Sequence, residues 1–95
     1  MRLRTEEIAI VKEAVARVLP DAEVFLFGSR ADDTKRGGDI DLLIVTPQGT
    51  TRQQESAIYW NLQEFLGEQK IDIVYQKQGT LTAFARLAKL EGVRL

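Results

Sequence analysis

The sequence contains no cysteine and no histidine. Without cysteine, a disulfide-stapled secreted scaffold and a thiolate metal site are both excluded. Without histidine, the usual general base, the usual partner of a nucleophilic serine and the commonest zinc ligand are missing. Any chemistry must then use carboxylates, hydroxyls, lysine or arginine. Neither sign of charge dominates, since 13 Lys and Arg stand against 14 Asp and Glu for a formal net charge of -1. So balanced a chain has no general basic field to hold long nucleic acid by phosphate neutralisation, and no stable nucleic-acid binding is expected. No apolar run approaches the roughly 20 residues that cross a bilayer. The first residues lead into an amphipathic stretch containing Glu6 and Glu7, so the chain reads as soluble, cytoplasmic and unprocessed, with no membrane partner. What remains is 95 residues with 44% apolar content, read as one domain over residues 1–95. At this length burial is modest, so the fold must rely on compact packing, a partner, or both.

Apolar residues at Ile8, Val11, Val15 and Val18 have helical spacing. They predict a first helix over residues 5–19, with Thr5 as N-cap, Glu6 and Glu7 at the positive end and Pro20 as terminator. Val24-Phe25-Leu26-Phe27 is a short continuous apolar run, suited to a strand covered on both faces. It stops at Gly28-Ser29. After a polar stretch ending in Gly37-Gly38, residues 39–45 read as a second buried strand, closed by Pro47 and Gly49. Thr51 to Glu55 open a helix whose inner face is Ile58, Leu62, Phe65 and Leu66, ended by Gly67. Residues 70–75 form a third strand. Thr80 then caps a last helix carrying Leu81, Phe84, Ala85 and Ala88, with Gly92 near its end. The expected fold is α/β in the broad sense (α+β): a small three-stranded mixed sheet with flanking helices, in the order α-β-β-α-β-α.

The helix between the second and third strands has the length of a right-handed parallel crossover, so their starting ends lie at one edge. The link between the first two strands has no convincing helix, which favours antiparallel pairing. Gly28-Ser29, Asp39-Ile40-Asp41 and Ile71-Asp72 therefore converge. Side chains alternate along a strand, so Asp39 and Asp41 share a face with Leu43 and Val45, and Asp72 shares one with Val74. Three carboxylates gathered at a strand edge repel one another unless a cation compensates them. All-oxygen ligation favours Mg²⁺, with Mn²⁺ as the alternative, over Zn²⁺. Two such ions about 3.5–4 Å apart would activate a hydroxyl and neutralise a leaving phosphate. Gly28 and Ser29 offer backbone N–H groups and a hydroxyl to phosphate oxygens. Arg30 is a further phosphate ligand, with Lys35 and Arg36 weaker ones.

Gly-Ser after an apolar strand, nine residues, then Asp-x-Asp opening a second strand and a lone in-phase Asp in a third form a specific arrangement. The run from Phe27 to Leu43 resembles the DNA polymerase β-type nucleotidyltransferase superfamily, and in particular its minimal nucleotidyltransferase (MNT) branch. The resemblance covers nearly the whole chain. Many minimal members have ten residues between the two motifs, and a familiar variant has Arg-Gly where Asp32-Asp33 stand here. The resemblance implies a nucleotidyltransferase fold in which Gly28 and Ser29 bind nucleotide phosphate and Asp39 and Asp41 hold the metals. Asp72 is then the third carboxylate, acting as base or metal ligand for the attacking hydroxyl. It further implies an antitoxin paired with a helical HEPN-type RNase toxin, to which AMP is transferred from ATP on a tyrosine hydroxyl.

The sequence shows no acceptor site, and so short a chain has little surface left for a closed acceptor pocket. The acceptor is expected to bring its own surface, as a protein would. Trp60 projects away from the inner face of its helix, among Gln53, Ser56 and Glu64, and Leu87 and Leu90 fall off the apolar face of the last helix. A hetero-oligomer is the expected state, with a homodimer or simple coverage within the fold as alternatives. Two other functions remain open: transfer to a small hydroxylated molecule with a helical partner as binding domain, and a non-enzymatic antitoxin acting by occlusion.

Overall fold

The computed structural model describes residues 4–28, 40–67 and 70–95. Three helices, α1 (Thr5–Val18), α2 (Arg52–Leu66) and α3 (Ala83–Glu91), surround strands β1 (Glu23–Phe27), β2 (Ile40–Thr46), β3 (Ile71–Lys77) and β4 (Val93–Arg94). The four strands make one sheet in the order β3-β2-β1-β4. β1 pairs antiparallel with β2 and β2 pairs parallel with β3, as the connections predicted.

Strand alternation divides the core in two. Val24, Leu26, Ile40, Leu42 and Ile44 face one side of the sheet, where Val11 and Val15 of α1 and Ile58 and Leu62 of α2 cover them. Phe25, Leu43 and Val45 face the other side under Ala85 and Ala88 of α3. β1 and β2 are thus covered on both faces, which is why their sequences are continuously apolar rather than alternating.

Four sequence expectations need correction. The sheet has a fourth strand: after Gly92 the chain turns back alongside β1, pairing Phe25 with Arg94 and Leu26 with Val93. Two residues are too few to carry a period-2 pattern, but the return is tightly fitted. A Cβ on Gly92 would lie 2.7 Å from the Leu26 carbonyl oxygen. Thr5 is the first helical residue of α1 rather than its cap. The Glu7 carboxylate instead reaches back to accept from the Arg4 backbone N–H at 3.0 Å, using the acid three positions along that a capping box provides. Thr82, not Thr80, caps α3 and accepts from the Ala85 N–H at 3.1 Å, so Leu81 packs from the preceding loop. Phe65 is 59% exposed; it lies beside a groove between α1 and α2 whose far wall includes small Ala14 next to the paired Glu13 and Arg17. The ring thus lies at the rim of that groove rather than in the core.

The remaining ends match their signals. Thr51 caps α2 by accepting from the Gln54 N–H, while the Gln54 side chain accepts from the Thr51 N–H. Gly67 closes that helix at φ 79°.

Candidate active site

β1 ends where β2 begins, and the antiparallel register sets Phe27 opposite Asp41. On the far side of β2 the parallel register sets Asp72 beside Asp41. Neighbouring strands lie about 4.8 Å apart, and paired residues point to the same face. Asp41 and Asp72 are therefore adjacent carboxylates on the α3 face of the sheet, at the edge where both strands start. Asp41 is half-buried and Asp72 is exposed. Below Asp41, Leu43 is fully buried, so the acid side of β2 is anchored by the same alternation that builds the core.

Gly28 follows β1 at φ 73°, a left-handed conformation that side chains other than hydrogen make costly. Space is as restrictive as angle here. A Cβ at this position would overlap the Asp41 carboxylate, whose Cγ would be 3.1 Å away. Backbone and carboxylate are thus packed directly together, leaving no room for a side chain between them.

A hard divalent cation fits this donor set. Two carboxylates in register offer only oxygen ligands, and neither cysteine nor histidine stands anywhere in the chain to favour a softer ion. Among the described residues no group of three or more acids, histidines or cysteines forms a metal cluster. Asp39, Ser29 and Arg30, together with Lys35 and Arg36, lie outside the described residues. Of the expected site, the structure brings together Gly28, Asp41 and Asp72.

An aromatic pair that the sequence reading did not assign to the site borders it. Phe27, on the same face as Asp41, meets Phe84 of α3 edge-to-face, with ring centroids 5.6 Å apart. Helical spacing sets Phe84 with Ala85 and Ala88 on the apolar side of α3, yet it is 52% exposed. The available signal was Phe27 itself: its parity and the antiparallel pairing put it beside Asp41.

At a distance from this edge, Tyr75 projects from β3 toward the α1–α2 side. Burial, with the Glu55 carboxylate adding to it, raises its phenol from 10.0 to about 12. The hydroxyl has no hydrogen-bond partner among the described residues.

A family model described as a nucleotidyltransferase domain matches residues 8–91, from the first half of α1 to the end of α3. No curated protein gives a significant match to the chain.

Proposed function

Because the chain belongs to the nucleotidyltransferase domain family, we propose that it transfers AMP from ATP to a hydroxyl, on a tyrosine, of a helical HEPN-type RNase toxin and so acts as that toxin's antitoxin. The observation that carries transfer chemistry is the in-register pair Asp41 and Asp72 beside a turn in which the Gly28 backbone abuts the Asp41 carboxylate. Asp41 and Asp72, with Asp39, would hold one or two Mg²⁺ or Mn²⁺ ions. When bound, such ions offset phosphate charge and lower the pKa of an attacking hydroxyl.

The chain's own residues contribute position and proton handling. Gly28 and Ser29 cradle phosphate oxygens with their backbone N–H groups, and Arg30 adds a cation. The acceptor oxygen forms a bond to the α-phosphorus as the bond to pyrophosphate breaks. Asp72, exposed at the edge, would serve the hydroxyl either as the base that takes its proton or as a ligand of the metal that activates it. Most of the rate gain in such a site comes from alignment and electrostatics.

A protein acceptor is favoured by the outer surface of the helices. Trp60 is 66% and Leu90 82% exposed, as expected of residues that wait for a partner rather than belong to the core. The toxin assignment rests on the MNT-like motif and on this surface. Modification would place charge and bulk near the toxin's RNA-binding site.

The test is incubation of the purified partner with this protein, ATP and Mg²⁺, followed by intact-mass analysis. A gain of one or more AMP units, absent with Asp41→Asn, is the expected result. Neutralisation of the toxin that persists in Asp41→Asn without any mass gain would replace transfer by occlusion.

A further inference from the structure

The exposed ring of Phe84 lies near the edge of the sheet that carries Asp41. Phe27 and Asp41 are cross-strand partners on one face of the sheet, and the Phe84 centroid is 5.6 Å from that of Phe27. Paired residues of neighbouring strands are about 5 Å apart, so Phe84 is one ring contact and one strand spacing from Asp41, a range of up to roughly 10 Å. A nucleoside held through its α-phosphate at Asp41 has its base within that range. Phe84 lies in the first turn of α3, just after the Thr82 cap, and the T-shaped contact with Phe27 fixes its ring while leaving it 52% exposed.

Leu87 and Leu90, the other exposed apolar residues of α3, lie further along the helix, and Leu90 borders a shallow cleft with Phe25, Lys89 and Arg94. Among the described residues, only Phe84 combines exposure with a direct aromatic brace to the residue that precedes Gly28.

We propose that Phe84, braced by Phe27, is the surface on which the nucleobase of the bound nucleoside triphosphate stacks. This rests on the nucleotidyl-transfer reading above and adds to it the residue that holds the nucleoside half of the substrate. Every base has a π-face, so such a platform supplies affinity without demanding a particular hydrogen-bond pattern.

The experiment separates base from phosphate. ATP and inorganic triphosphate, each with Mg²⁺, are titrated calorimetrically into the full chain and into Phe84→Ala and Phe84→Trp. Loss of one base-stacking contact is expected to weaken ATP binding by at least about five-fold. Triphosphate binding stays at the wild-type level in Phe84→Ala, and Phe84→Trp keeps the ATP affinity. Should Phe84→Ala not fold, judged by circular dichroism, Phe84→Leu keeps an apolar contact for Phe27 but lacks the ring and is expected to show the same selective loss. Unchanged ATP affinity in the folded alanine or leucine variant overturns the proposal, as does an equal loss for both ligands. Wild-type protein that binds neither ligand overturns the nucleotidyl-transfer reading itself, and the proposal with it.

Discussion

Gly28 is held by two separate constraints, a backbone angle and a carboxylate, and they make different contributions to a substitution. Gly28→Ala must strain a left-handed φ of 73° and also push the Asp41 side chain from its place. The first costs about 1 kcal/mol of stability, while the second moves a group on which transfer depends. The variant is therefore expected to remain folded in a thermal melt yet lose at least about ten-fold in nucleotidyl-transfer rate, since small misplacements at a reacting centre are expensive. A wild-type rate in Gly28→Ala would show that the close approach is incidental. Tyr75 gives a second residue-scale expectation. Its phenol is raised to about 12, so between about pH 10 and 12 the folded state holds a proton that the unfolded chain has released. Its contribution is complete below about pH 10 and is lost as pH rises toward 12. Tyr75→Phe, which removes a hydroxyl with no partner among the described residues, is expected to lessen the alkaline fall in denaturant-measured stability. An identical fall in both proteins would reject the assignment. At this scale Asp41 and Asp72 were legible because strand parity fixes the face of each acid. Phe84 was not, because helical spacing reports the side of a helix and says nothing of how far the layer beneath it extends.

The elements depend on a few fitted ends. Gly92 has an ordinary φ of -80°, so its requirement is one of packing. A Cβ there would crowd the Ala88 carbonyl oxygen, which accepts the Gly92 N–H at 2.8 Å, and the Leu26 carbonyl oxygen on β1. Gly92→Ala is expected to destabilise the fold by about 1–3 kcal/mol, the usual cost of overpacking, and to loosen β4 first. Urea denaturation measures the first effect and amide protection at Leu95, whose N–H bonds to the Val24 carbonyl at 2.9 Å, measures the second. Wild-type values for both would refute it. Thr51→Ala removes the α2 cap and is expected to cost about 1 kcal/mol in the same assay. Element order and pairing direction were readable because long periodic segments and loop lengths carry them. β4 was not, since two residues gain their strand character from β1 rather than from their own sequence, and the caps of α1 and α3 shifted because neighbouring polar residues compete for the same orphan N–H groups.

The whole molecule divides its two faces between duties. α1 and α2 close one side of the sheet over a continuous apolar layer, while α3 covers only part of the other and leaves the acidic edge accessible. The outer surface of α2 carries Trp60, whose ring packs edge-to-face on Tyr59 and little else, with centroids 5.3 Å apart. Trp60→Glu is expected to leave the isolated chain as stable as the wild type and to weaken capture of the proposed helical partner, read by calorimetry. Undiminished affinity would remove α2 from the interface. The stretch between Gly28 and Ile40 carries no comparable signal, since its polar residues show no apolar periodicity.

The sheet order also grades the active site in time. Asp41 belongs to an inner strand bonded on both sides, whereas Asp72 stands on β3, whose outer side meets no strand among the described residues. Amide hydrogens of β2 around Asp41 should exchange with solvent only when the sheet opens globally, and those on the outer side of β3 through far smaller fluctuations. One carboxylate is thereby a fixed reference, and the other, on the proposed reading, can settle to the acceptor that arrives.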